Sequence, residues 1–280
     1  MGAALEAEKK KAQGLKKISV SPREKGDLIM MGIGGFSPLT GFMTKADWKG
    51  VCEKYLTADG TFWPIPVTLS ASKADAAGIK VGEEIALYDD EAKEFVATMK
   101  VTEKYDMGVA EKRFECEKTF MGEGSKTVED FWKIAEKDHP GVQMVMQQKD
   151  VNLAGPVKVL SEGEYPKKYA GVYMRPAESR KIFEDRGWAR IAALQLRNPM
   201  HRSHEYLCKI AVEVMDGVYI HSLVGNLKPG DIPAETRVKC IDALVKGYFV
   251  EKNVVQGGYP LDMRYAGPRE ALLHAMLRKN

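Results

Sequence analysis

Apolar residues change rhythm near the middle of the chain. In the first half they fall in short runs rich in β-branched and aromatic residues: 61–69 (TFWPIPVTL), 84–88 (EIALY) and 95–101 (FVATMKV). Asp59-Gly60, Gly82 and Asp89-Asp90 punctuate them with turn chemistry, so the pattern predicts short strands of a β-rich module. Helical spacing interrupts this at 45–55 and 128–137, and the charged opening residues read as a helix or a frayed end. No catalytic constellation stands out in this half.

In the second half, residues 191–196 (IAALQL) form a compact apolar run that predicts a buried parallel strand. Leu207, Ile210, Ala211 and Val214 follow at i, i+3, i+4 and i+7, which predicts a helix burying that face. Residues 217–224 predict a second strand. Asp231 and Pro233 then signal a helix carrying Val238, Ile241, Val245 and Tyr248. Residues 253–256 predict a third strand, and Gly267-Pro268 opens a helix carrying Leu272, Leu273, Met276 and Leu277. This alternation predicts a doubly wound α/β domain, whose ligands sit at the carboxyl ends of its strands. The boundary falls in the Pro- and Gly-marked stretch 155–176, giving domains of 1–165 and 166–280.

Composition narrows the class. With 44% hydrophobic and 29% charged residues in 280, the chain has the makeup of a soluble globular protein. Its 42 basic and 39 acidic residues nearly balance, which supplies no electrostatic argument for nucleic acid. No apolar run is long enough to span a bilayer, and the charged N-terminus lacks the apolar core of a signal peptide. The expected location is the cytoplasm, with no membrane partner. Cys52, Cys116, Cys208 and Cys240 are widely spaced without a C-x-x-C pair, the distribution of scattered reduced thiols.

The chemistry gathers in residues 195–204 (QLRNPMHRSH). Pro199 stops the strand, and the first turn of the next helix carries His201, Arg202 and His204. A helix N-terminus presents free N–H groups and positive potential, which suits an anion. His201 and His204 lie three apart on one face and can reach the same phosphate chain. Arg197 adds a planar cationic fork; Gln195 and Asn198 add neutral donors. Two histidines at this spacing are also compatible with a metal, but no third ligand cluster accompanies them and they do not form H-E-x-x-H. No protein-bound metal is expected.

The string QLRNPMHRSHEYL resembles the signature of the ATP sulfurylase (sulfate adenylyltransferase) family, within the HxxH nucleotidyltransferases. Segments 35–43 (GFSPLTGFM), 172–178 (VYMRPAE), 227–233 (LKPGDIP) and 259–270 (YPLDMRYAGPRE) are similar to that family in the same order. The resemblance extends over essentially the whole chain. It implies a PUA-like N-terminal domain followed by a Rossmann-like nucleotidyltransferase domain. It also implies transfer of AMP from ATP to sulfate, giving adenylyl sulfate (APS) and pyrophosphate, with Mg²⁺ accompanying ATP. On this resemblance Gln195 and Arg197 hold sulfate, and Asn198 contacts the α-phosphate. His201 and His204 grip the β,γ-phosphates, and Met263 and Gly267 serve the adenosine side. Arg197, Asn198, His201 and His204 are the expected catalytic residues; Gln195 and Leu196 complete the nucleotide contacts. A homo-oligomer is implied as well.

Two departures qualify the carry-over. Leu196 stands where many members have Thr, so no side-chain hydroxyl is available; this form resembles that of dissimilatory sulfur metabolism. The chain also ends at Asn280, before the family's Gly-Arg-Asp-His-Ala-Gly loop, so it reads as a fragment with an incomplete catalytic domain. Two other functions compete. One is an HxxH nucleotidyltransferase with a different acceptor; the other is an RNA-binding PUA-type module, against which the balanced charge argues.

Overall fold

The computed structural model describes residues 2–122, 127–227 and 230–280. Contacts divide the chain into two units. The first comprises residues up to 31, 36–161 and 264–279; the second comprises 32–35, 162–263 and 280.

The first unit contains strands β1 (Lys16–Ser19), β2 (Gly41–Phe42), β3 (Leu69–Ala71), β4 (Glu84–Asp89), β5 (Glu94–Lys100), β6 (Glu103–Asp106) and β7 (Val151–Val159). They form a seven-stranded sheet of order β1-β4-β5-β7-β2, with β3 and β6 also pairing with β7. The β1–β4 pair is parallel and the others are antiparallel. Runs 84–88 and 95–101 became β4 and β5 as expected. Run 61–69 did not become a strand: Leu69 alone enters β3. Pro64 and Pro66 carry no N–H for a ladder, yet Trp63, Ile65 and Val67 are fully buried, so the segment is an irregular piece of core.

The expected helices are present as α3 (Lys45–Lys54) and α6 (Val128–Asp138), capped by Thr44 and Thr127. Around them lie α1 (Gly2–Ala12), α2 (Pro22–Gly32), α4 (Lys73–Ala77), α5 (Val109–Phe120) and α7 (Pro140–Met146). Helix α5 escaped the pattern because its buried face is Lys112, Glu115, Cys116, Thr119 and Phe120, which shows no apolar period. Glu115 is stabilised there by the Trp48 indole N–H at 2.6 Å.

Strand β7 is crowded on both sides of Gly155. That residue has φ +148, and a Cβ on it would collide with the Lys100 carbonyl oxygen. We expect Gly155→Ala to destabilise the unit by about 1–3 kcal/mol, combining overpacking with backbone strain. A thermal melt of the variant that superimposes on the parent would contradict this account of the β5–β7 approach.

The second unit runs α8 (Tyr165–Lys168), α9 (Pro176–Asp185), β8 (Ile191–Leu196), α10 (Arg202–Val214), β9 (Gly217–Leu223), α11 (Ala234–Tyr248) and β10 (Val254–Tyr259). All three strands are parallel, in the order β10-β9-β8. One face carries Leu196, Val218, Ile220 and Val254 against Met200, Cys208 and Ile241, so α10 and α11 cover it. The other face receives Phe183, whose ring packs edge-on against Tyr219.

Two expectations for this unit need correcting. Strand β8 is an edge strand and only partly buried, whereas β9 is buried throughout. Helix α10 also presents a different face from the one its apolar spacing picks out. Leu207, Ile210 and Val214 are 56%, 46% and 58% exposed, while Glu205 and Cys208 are buried and Ala211 and Val212 are partly so. The inward stripe uses small side chains, which allow close approach to the sheet. Its one carboxylate, Glu205, is balanced by Arg202 and Lys209.

The last helix, α12 (Pro268–Lys279), forms where Gly267-Pro268 predicted it, but its contacts lie with the first unit. Arg269 donates to the carbonyls of Val51, Cys52 and Pro64 at 2.8–3.0 Å and stacks over the Tyr55 ring. Arg264, just before it, pairs with Asp27 in the core of the same unit. Among the described residues no helix is long and apolar enough to cross a membrane. Cys52, Cys116 and Cys208 are buried and Cys240 is exposed, all four as free thiols.

Candidate active site

Strand β8 ends at Leu196, and six residues later α10 begins at Arg202. Pro199 occupies this junction, and Met200 anchors it by inserting into the apolar cluster beneath α10 and α11. Leu196 points into the same cluster, so only its main chain is available to a ligand. Arg197 and Asn198 flank the turn, the first half-exposed and the second exposed.

His201 is the N-cap of α10. Its Nδ1 accepts from the Ser203 amide at 3.3 Å and lies 2.8 Å from the Ser203 hydroxyl. His204 Nδ1 in turn accepts from the His201 amide at 3.3 Å. The histidines therefore close a reciprocal capping box, a task normally given to Ser and Glu. Their ring centroids are 4.0 Å apart. With each Nδ1 accepting a backbone N–H, the neutral ring carries its proton on Nε2. The pair thus offers two Nε2–H donors beside the positive end of a helix, a good anchor for a phosphate chain. Burial holds the His204 pKa below the usual histidine value of 6.5, and the neighbouring His201 charge adds to this.

At the strand ends, Gln195 is in register with His221, and Leu196 with Ser222. Gln195 Nε2 and Ser222 Oγ are buried without a hydrogen-bond partner among the described residues. Unsatisfied polar atoms at the carboxyl end of a parallel sheet mark a place where a polar ligand gains hydrogen bonds. His221 is sandwiched between Tyr219 and Tyr259, with centroids at 4.7 and 4.1 Å.

Arg197 Nη1 lies 3.5 Å from Asp231 Oδ2. Asp231 borders a cavity of about 280 Å³ that is also lined by Lys168, Tyr169, Asn226 and Arg237. The loops after β9 and β10 are clamped together near it: Asn226 donates its amide to Asp262 Oδ1 at 2.7 Å. A side chain at Gly225 would strike the Leu261 carbonyl, so only glycine permits this closeness. Sequence spacing pointed to Asp231 only as a helix-start signal, and it gave no sign of His221 or Ser222, which strand register brings beside Gln195. Lys228 and Pro229 of the 227–233 segment lie outside the described residues.

Met263 is buried in the second unit, and its amide donates to Asn226 O at 3.4 Å. Gly267 belongs to the first unit, with φ +52 at the start of α12. Among the described residues no group of three or more His, Cys, Asp or Glu is arranged to hold a metal ion.

Fold and site together define a PUA-like domain joined to a nucleotidyltransferase-like domain. A PUA-like domain family matches residues 1–162, and the ATP-sulfurylase family matches residues 170–280. A sulfate adenylyltransferase of Desulfatibacillum aliphaticivorans is 76% identical over 279 residues, covering all of this chain and 66% of that protein. That of Desulfovibrio desulfuricans is 67% identical, covering all of this chain and 65% of that protein. A solved hexameric APS kinase from Thiobacillus denitrificans superimposes with a TM-score of 0.75 at 26% identity, over 98% of this chain and 47% of that one. The chain belongs to the ATP sulfurylase (sulfate adenylyltransferase) family. It spans about two thirds of the length of these curated relatives (66% and 65%).

Proposed function

We propose that the protein is a sulfate adenylyltransferase, joining the AMP of ATP to sulfate and releasing pyrophosphate. The observation that carries this reading is the histidine capping box, which turns two Nε2–H donors outward at the N-terminus of α10. A sulfate oxygen attacks the α-phosphorus in line; the new S–O–P linkage forms as the bond to pyrophosphate breaks. Gln195 and Arg197 hold the sulfate, and Asn198 contacts the α-phosphate. His201 and His204 take the β,γ-phosphates and the charge that develops on departing pyrophosphate. Leu196 contributes main-chain contacts, and Met263 forms part of the adenosine side. Mg²⁺ arrives with ATP and offsets phosphate charge. The protein's own work is positioning and charge stabilisation. The hexameric assembly of the Thiobacillus denitrificans structure supports a homo-oligomer, and free thiols accord with the cytoplasm.

The test is ATP formation from adenylyl sulfate and pyrophosphate, by this chain alone and extended with the remaining third of a curated relative. ATP production that needs adenylyl sulfate supports the reading. A folded, extended protein that makes none rejects it in favour of a transferase with another acceptor.

The His204 pKa gives a second check. In the free protein burial, with the neighbouring His201 adding to it, depresses the His204 pKa and so favours the neutral ring. A bound polyanion favours the charged form and raises that pKa, so at pH 6 binding takes up a fraction of a proton. Calorimetric titration of pyrophosphate in buffers of different ionisation enthalpy reads this uptake. It should shrink in His204→Gln; equal uptake in both proteins would remove His204 from the phosphate site.

A further inference from the structure

Asp231 is the acidic neighbour of the arginine that this reading gives to sulfate. Its side chain is 14% exposed and that of Arg197 is 37% exposed, so the carboxylate is the more enclosed of the two. The segment carrying it is held from below. Arg237, on the first turns of α11, is essentially fully buried and donates to Ile232 O at 3.0 Å and to Leu223 O at 2.7 Å. Those bonds tie the residue after Asp231 to the carboxyl end of β9. Burial lowers the Arg237 pKa, and Tyr169 and the Asp231 charge oppose that by favouring the protonated guanidinium. Asp231 is thus a carboxylate fixed to the sheet end, next to a guanidinium whose own backbone lies in the turn after β8.

We propose that Asp231 is a positioning residue: it holds one edge of the Arg197 guanidinium so that the remaining N–H groups face the sulfate oxygens. The inference rests on the sulfate adenylyltransferase reading. A guanidinium has five donors in a rigid fork, and a carboxylate on one edge fixes the plane without consuming the other donors. At 3.5 Å the contact is long for a hydrogen bond, so Asp231 acts mainly as a fixed negative charge that draws one edge of the guanidinium toward it. A carboxylate so close to an oxyanion site repels the incoming dianion, so its benefit lies in alignment and not in ground-state affinity. This separates a positioning role from a purely structural one. Removing the charge lowers turnover while the KM for adenylyl sulfate stays level or falls.

The experiment compares wild type, Asp231→Asn, Asp231→Ser and Asp231→Glu in two readouts. The first is the ¹⁵N heteronuclear NOE of the Arg197 Nε–H group in the 280-residue chain, assigned with Arg197→Lys. The second is the steady-state kinetics of ATP formation in the extended protein. The expected result is a lower NOE in both neutral variants and a kcat reduced about ten- to hundredfold. KM should stay within about threefold, with Asp231→Glu recovering most of both readouts. An Arg197 NOE unchanged in a folded neutral variant overturns the proposal, as does a KM increase that tracks a fall in melting temperature. Should wild type itself make no ATP, the transferase reading fails, and the NOE comparison still decides whether Asp231 orders Arg197.

Discussion

Arg197→Ala should lower ATP formation from adenylyl sulfate and pyrophosphate by about 10²–10³-fold, with little change in melting temperature. The first half of this expectation follows from the proposed role. An arginine that meets an oxyanion at the reacting centre stabilises charge where it develops, and removing one such preorganised donor costs about 10²–10³ in rate. The second half follows from its surroundings. The side chain is 37% exposed, and its ion pair with Asp231 is long, so folding gains little from it. Arg197→Lys separates charge from geometry, because an ammonium keeps the charge and loses the planar fork. We expect it to recover less than a tenth of the lost rate. A steady-state comparison of the three proteins, with melting curves on each, decides the matter. A loss below about fivefold in Arg197→Ala would take Arg197 out of the oxyanion site.

That expectation could be framed from sequence because the site's informative residues are consecutive. A strand, a proline and a helix start within ten positions place Gln195, Arg197, His201 and His204 together by local geometry alone. Parts that depend on register or distant segments were hidden. Asp231 reaches Arg197 across 34 positions, and Ser222 comes beside Leu196 only when β8 and β9 pair in parallel. The capping role of the histidines was also invisible, since the family resemblance read them only as phosphate ligands.

The same division holds for the fold. The strand–helix alternation of 191–259 was legible because each β run is short, apolar and bounded by turn residues. Helix α10 shows the limit of periodicity. Its strongest apolar stripe, Leu207, Ile210 and Val214, faces outward, and a stripe of Cys208, Ala211 and Val212 packs inward. Helix α5 was missed for the related reason that its buried face is largely polar. In both, close packing and buried ion or hydrogen-bond partners decided burial where hydrophobicity did not.

Residues 264–279 carry the largest stability effect we expect. Arg264 and Asp27 are each 1% exposed and form a direct ion pair within the first unit. The Arg264 amide donates to Glu270 Oε1 at 2.8 Å, which locks the start of α12 to the same cluster. Removing one member of a buried pair leaves the other charge without compensation, at a cost of about 3–5 kcal/mol. Asp27→Ala should therefore lower the melting temperature by roughly 10 °C. An apolar pair, Asp27→Leu with Arg264→Met, should recover most of that loss, because desolvating two charges is itself expensive. Arg264→Ala should also be sensitive to pH through Glu115. Burial pushes the Glu115 carboxyl up, and the Trp48 N–H, Arg23 and Arg264 pull it back down. A raised folded pKa gives stability that is complete below the unfolded value of about 4.5 and lost as pH climbs through the folded value. Losing Arg264 raises that pKa further, so the penalty should be greater at pH 8 than at pH 5. Denaturant titrations of the single and double variants at both pH values measure each term. An Asp27→Ala cost below about 1 kcal/mol would mean that water reaches the pair and that α12 is held by Arg269 and its carbonyl partners instead.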